Sequence, residues 1–183
     1  LLQLQTYLAQ LQKEDSLKAL VIFSGKNDSF ILGANIHEML TVENTEELKQ
    51  KICLGQSLCT LIESLPFPTL AAIHGLCLGA GLEMALACKY RLASIHPQTI
   101  LGLPEVELGI LPVWGGTQRL PRIIDFTQAV SLISGGKPIT TEEAYKIGLI
   151  DGVYSPSLLE EQVSSFLIQP QSRKCPSNAF RSH

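Results

Sequence analysis

The sequence has no basic stripe: 14 lysines and arginines stand against 17 acidic residues, a formal charge of −3 over 183 residues. With no surface built to neutralise phosphates, nucleic acid is not expected as a partner. No apolar run reaches the roughly 18–20 residues that a helix needs to cross a bilayer, so no membrane span is expected. Paired CxxC motifs are missing too. The five cysteines, Cys53, Cys59, Cys77, Cys88 and Cys175, sit mostly among apolar neighbours and read as reduced, largely buried small hydrophobes rather than disulfides or metal ligands. There is no internal repeat and no signal-peptide pattern. Leu1 stands where an initiator methionine would, and LLQLQTYLAQLQK reads as a helix already under way, so the chain is expected to be a fragment lacking its N-terminal part.

What is present suits one domain with a substantial core. Leu4, Leu8 and Leu11 recur at helical spacing between Leu1 and Lys13. Leu17 to Gly25 is a short apolar run ending in glycine and reads as a buried strand. KNDSFILGANIHEML reads as a polar turn, a tight glycine loop and a helix start near Asn35. Thr45 to Glu63 reads as a long helix with Glu46 and Glu47 near its positive end, closed off by Pro66 and Pro68. Thr69 to His74 is a second buried strand, followed by the glycine loop GLCLGAG and a helix over 81–89, then a strand at RLASI. Thr140 to Gly148 reads as a helix capped by threonine. Strands alternating with helices, with near-continuous apolar strands, imply an α/β layered fold. Residues 169–183, rich in Pro, Ser, Gln and basic residues, read as a linker-like tail after a domain over 1–168.

The segment LAAIHGLCLGAGLEMALACKYRLA carries the chemistry. Glycines at 75, 79 and 81 let the backbone turn tightly and approach a ligand. The amides that open the following helix have no intrahelical partners and can receive an oxyanion, such as a thioester carbonyl becoming an enolate. Glu83 falls in that helix's first turn, where the macrodipole favours its ionised form. Glu105 follows an apolar run and Pro104, and apolar surroundings raise a carboxyl pKa. One carboxylate and one carboxylic acid are the pair needed to add water across a double bond. The plainer readings are a solvent-facing charge at a helix start and a loop acid, and Glu107 competes with Glu105 from two residues away. A dinucleotide-binding fingerprint fails at its third glycine, where Met84 stands.

AAIHGLCLGAGLEMALAC, LGLPEVELGILP and GGTQRLPR, supported by FILGANI and SGGKPITTEEAYKIGLID, resemble the crotonase (enoyl-CoA hydratase/isomerase) superfamily over about residues 1–168. Within it the chain is similar to the hydratase region of multifunctional fatty-acid oxidation alpha subunits. The resemblance implies a β-β-α spiral, typically assembled as a homo-oligomer or with a thiolase partner. It implies hydration of trans-2-enoyl-CoA to 3-hydroxyacyl-CoA in β-oxidation, with the substrate carrying CoA and no metal or other cofactor for that step. Its setting would be a bacterial cytoplasm or a mitochondrial matrix. It casts Glu83 as the residue that activates water, Glu105 as the one that protonates the alpha carbon, and the backbone N–H groups of Ala34 and Ala80 as the oxyanion hole. Four positions depart from the family's usual residues: Ala80 and Val113 stand for glycine, Asn35 for aspartate, and Trp114 for something smaller. Val113 and Trp114 are thus expected to shape the substrate pocket. The family's N-terminal CoA-holding strands and any hydroxyacyl-CoA dehydrogenase region are expected to lie outside this chain.

Other residues read as structural. His74 is a core or loop histidine, and His37 and His96 share no metal-ligand spacing. Arg119 and Arg122 suit either CoA phosphates or ion pairs at a subunit contact. Lys18, Lys26 and Lys49 are solvated charges. Against the hydratase stand a double-bond isomerase, using one carboxylate as a proton shuttle, and a non-catalytic fragment that keeps the fold.

Overall fold

In the computed structural model, which describes residues 1–33, 44–155, 157 and 159–168, the chain winds through successive passes of strand, strand and helix. Helix α1 (Leu2–Leu11) precedes a first pass of β1 (Leu20–Ile22), β2 (Ser29–Ile31) and α2 (Thr45–Glu63). The second pass is β3 (Thr69–Ile73), β4 (Leu76–Leu78) and α3 (Ala80–Ala87). The third has β5 (Tyr90–Ser94), β6 (Ile100–Gly102), a 3-10 turn (Pro104–Leu108), α4 (Gly116–Ile123) and α5 (Phe126–Gly135). After it come β7 (Ile139–Thr140), α6 (Thr141–Lys146), β8 (Gly152–Tyr154) and α7 (Leu159–Ile168). The first strands of the passes build one parallel sheet, in the order β1-β3-β5-β8. The second strands build another, β2-β4-β6-β7, parallel except for the last pair. This is the α/β, β-β-α spiral that the motifs imply.

β3 shows why the strands are mostly apolar. Side chains alternate across a strand, so Ala71 and Ile73 enter the main core while Leu70 and Ala72 enter a second one with Leu92, Tyr154 and Val163. A strand buried on both faces favours apolar residues along its length, and the one polar residue of β3, Thr69, accepts the Lys89 amide at 2.8 Å. β1 departs from expectation: its three residues are only half-buried, and among the described residues it is an edge strand paired with β3 alone.

The helices follow their caps. Asn44 accepts the Glu46 amide at 2.9 Å to open α2, and Thr140 and Glu143 form a reciprocal capping box at α6. β2 and β4 correct the sequence reading, which placed a turn and a glycine loop there. Each is three residues long, and β4 lies between Gly75 and Gly79, both at positive φ. The expected helix start near Asn35 and the tail at 169–183 lie outside the described residues. No helix among the described residues is long and apolar enough to cross a membrane.

Candidate active site

Helix α3 is apolar on every side, and all eight of its residues are buried. The one charge in it, Glu83, is 1% exposed. A carboxylate so placed needs fixed donors, and they come from the loop after the 3-10 turn. Trp114 N–H donates to Glu83 Oε1 at 2.8 Å and Gly116 N–H at 2.7 Å. The Val113 amide also favours the charged form. Burial raises the Glu83 pKa above its ordinary value; the three amides, Gly116 foremost, and then the Arg119 guanidinium oppose it. The macrodipole argument for an ionised Glu83 thus acts together with these donors and against burial.

Glu105 stands on the 3-10 turn, directly after the proline that starts it. A side-chain carbon on Gly79 would lie 2.9 Å from Glu105 Oε1, at a backbone with φ of +56°. The positive φ is what calls for glycine there. Oε2 of Glu105 is buried and has no hydrogen-bond partner among the described residues. Burial first, and the charge of Glu83 after it, push the Glu105 pKa up to about 7 against one opposing backbone hydrogen bond. Glu107 is exposed and does not line the cavity that Glu83 and Glu105 share. The structure separates two acids that the sequence alone could not.

That cavity has a volume of about 590 Å³ and mostly apolar walls, among them Leu32, Ile52, Leu54 and Leu108. Ala80, Val113 and Trp114 also line it. Ala34 lies outside the described residues, as do Asn35 and His37. Its neighbour Gly33 packs against the start of α3: a side-chain carbon there would be 3.1 Å from the Leu78 carbonyl and 3.3 Å from the Ala80 nitrogen. The Trp114 indole also packs over Gly55 of α2.

Arg119 is not free for CoA phosphates or a subunit contact. Its Nε and Nη2 donate to Glu63 Oε2 at 3.3 and 3.0 Å, and Nη1 donates to the Trp114 carbonyl at 3.0 Å. Arg122 is exposed. His74 contacts the Lys26 carbonyl, and the exposed His96 accepts the Gln98 amide at 3.3 Å. Cys59, Cys77 and Cys88 are buried free thiols, whereas Cys53 is exposed; Cys175 lies outside the described residues. Sequence reasoning missed Gly55, Gln56 and Gly116. A glycine in the middle of the long α2 helix was the one available signal, because it forgoes about 1 kcal/mol of helix propensity unless something packs on it.

The comparisons with known proteins agree with this geometry. The model of the enoyl-CoA hydratase/isomerase family matches residues 2–176. A fatty acid oxidation complex subunit alpha of Shewanella halifaxensis is 44% identical over 157 residues, which is 86% of this chain and 22% of that relative. The chain thus spans about a fifth of the length of this curated relative. Among solved structures, an enoyl-CoA hydratase of Bacillus anthracis superposes with a TM-score of 0.84 at 34% identity, covering 91% of this chain and 64% of that one. An enoyl-CoA hydratase of Geobacillus kaustophilus gives 0.84 at 29% identity, covering 91% and 62%. With its β-β-α spiral and a match over nearly its whole length, the chain belongs to the enoyl-CoA hydratase/isomerase family.

Proposed function

We propose that this chain carries the site that hydrates a trans-2-enoyl-CoA to the 3-hydroxyacyl-CoA, as a step of fatty-acid oxidation. Glu83 is the base and Glu105 the acid. The observation that carries the reading is two carboxyl groups in one apolar cavity with unlike surroundings. Three amides and a guanidinium favour the ionised form of Glu83, while an Oε2 with no partner among the described residues and a pKa of about 7 keep about half of Glu105 protonated at neutral pH.

Glu83 takes a proton from water as its oxygen bonds to C3 of the enoyl group. The double-bond electrons move toward C2 and the thioester carbonyl. Backbone N–H groups of Ala80 and Ala34 receive the developing enolate charge. Glu105 then delivers its proton to C2, and one water has been added. A proton passed from Glu83 to Glu105 through solvent resets the pair. The apolar walls suit the acyl chain of the substrate, and no further cofactor is needed for this step.

The test is the full-length protein with crotonyl-CoA, following loss of enoyl absorbance and identifying the product by mass. Gain of one water is the expected result. Glu83→Gln and Glu105→Gln should each lower turnover about 10²- to 10⁴-fold with the fold intact. A product of unchanged mass with a moved double bond would replace the hydratase by the isomerase. Binding of CoA without turnover would mean that Ala80, Val113 and Trp114 have changed the chemistry.

A further inference from the structure

The loop that grips Glu83 is itself gripped from a single helix. Gln56 Nε2 of α2 donates to the Val113 carbonyl at 2.7 Å. The residue before it, Gly55, leaves the slot into which the Trp114 indole packs. At the end of the same helix Glu63 anchors Arg119 of α4, whose remaining arm reaches back to the Trp114 carbonyl. The carbonyl of Trp114 is thus held by Arg119 while its amide is held on Glu83 Oε1. The Val113–Trp114 peptide is fixed at both its polar groups, the carbonyl by Gln56 and the N–H on Glu83. Arg119 holds the carbonyl of the next peptide, so neither can rotate without breaking a bond.

We propose that Arg119 is a positioning residue for Glu83: paired to Glu63, it fixes the 113–116 loop so that the amides of Trp114 and Gly116 converge on Oε1. That leaves Oε2 as the oxygen those two amides do not engage. The inference rests on the hydratase reading above and adds to it a residue that touches no reacting atom. Three observations argue for it over an ordinary surface ion pair. The Arg119 side chain is only 11% exposed, so its charge is little screened. Its planar fork is divided between two acceptors on different elements, which a lysine could not do. Its direction of effect on Glu83 is toward the ionised form a base requires.

Charged and titratable groups face Glu83 from each element packed on it among the described residues. Arg119 comes from α4 and Glu105 from the 3-10 turn. Cys59 comes from α2, its thiol pushed up to about 12 by burial and so uncharged, with Glu63 behind Arg119. Arg119 is the cation in that set. Its removal should therefore move the Glu83 titration upward.

The experiment compares Arg119→Gln, Arg119→Lys and Glu63→Gln in the full-length protein, with thermal unfolding to check each fold. For Arg119→Gln we expect kcat to fall about 10- to 100-fold through misplacement of the base, with KM nearly unchanged. The acid limb of the kcat/KM profile should move to higher pH. Arg119→Lys should return the limb toward wild type but recover kcat only in part, because charge returns without the fork. Glu63→Gln alters a half-exposed carboxylate and serves should Arg119→Gln fail to fold; it should lower kcat a few-fold without raising the limb. Folded variants with wild-type kcat and pH profile would overturn the proposal. So would a large rise in KM at constant kcat, which would make Arg119 a substrate contact. If the wild type hydrates nothing, the hydratase reading fails, and the loop is tested by Trp114 emission, isolated by subtracting the spectrum of Trp114→Phe. A red shift in Arg119→Gln or Glu63→Gln supports the positioning role, and an unchanged emission overturns it.

Discussion

Glu105 links its chemistry to stability through one number, a pKa raised by burial to about 7. An acid with that value is about half protonated at neutrality, and the free protein needs it protonated. The basic limb of the kcat/KM profile should fall near pH 7, and the acid limb, set by Glu83, should lie above the ordinary glutamate value. The same shift makes the fold pH-dependent. Below the unfolded pKa, about 4.5, the carboxyl is protonated in both states and exacts no penalty. As pH rises through the folded value the buried group must ionise, and stability falls because the native state held the proton more tightly. Glu105→Gln removes that titration. Denaturant unfolding should find it equal to wild type near pH 4 and more stable at pH 8 by about 1 kcal/mol, after discounting for partial solvent exposure. A variant that is less stable at pH 8 would mean that the ionised carboxylate is well accommodated.

At the scale of elements, α2 is a wall of the cavity and the anchor of the loop behind Glu83 at once. Gly55 makes both possible. Alanine at 55 would gain about 1 kcal/mol of helix propensity, but its methyl would sit inside contact distance of three Trp114 ring atoms. Overpacking of that kind costs about 1–3 kcal/mol, so steric conflict wins. Gly55→Ala should unfold at lower denaturant than wild type and lose turnover as the 113–116 loop shifts. The long elements were legible beforehand: α2 was read at its observed bounds because early acids and two later prolines mark them. β2, β4 and β6 were not, at three residues each, because such strands are defined by the neighbours they pair with rather than by their own sequence. The carboxyl pair was legible as types in a pattern, and Ala80, Val113 and Trp114 through the motifs. The grip on Glu83 was not. Its donors are backbone amides, which every residue but proline carries, and Arg119 finds Glu63 across 56 positions of sequence.

For the molecule as a whole, the sheet and the helix that bears Glu83 are joined by one buried arginine. Arg91 of β5 is fully buried. Its Nη1 donates to the carbonyls of Ala85 and Cys88 at the end of α3, at 3.2 and 2.7 Å. Nε donates to the Leu149 carbonyl at 2.8 Å, and Nη2 meets Asp151 Oδ2 at 3.2 Å just before β8. Asp151 in turn accepts the Arg91 backbone amide at 2.7 Å. Breaking a buried ion pair from one side costs about 3–5 kcal/mol, because a charge is left without its partner. Asp151→Ala should therefore lower unfolding free energy by about 3 kcal/mol, somewhat less than the upper figure since three carbonyls still receive the guanidinium. Many buried pairs can be replaced together by apolar residues at little cost. Here Arg91→Leu combined with Asp151→Leu should not recover wild-type stability. The carbonyls of Ala85, Cys88 and Leu149 would lose a donor, at about 1–3 kcal/mol for each buried group left unsatisfied. Full recovery in the double variant, measured by denaturant unfolding, would show that the pair contributes no more than its volume and that the helix end is held by packing alone.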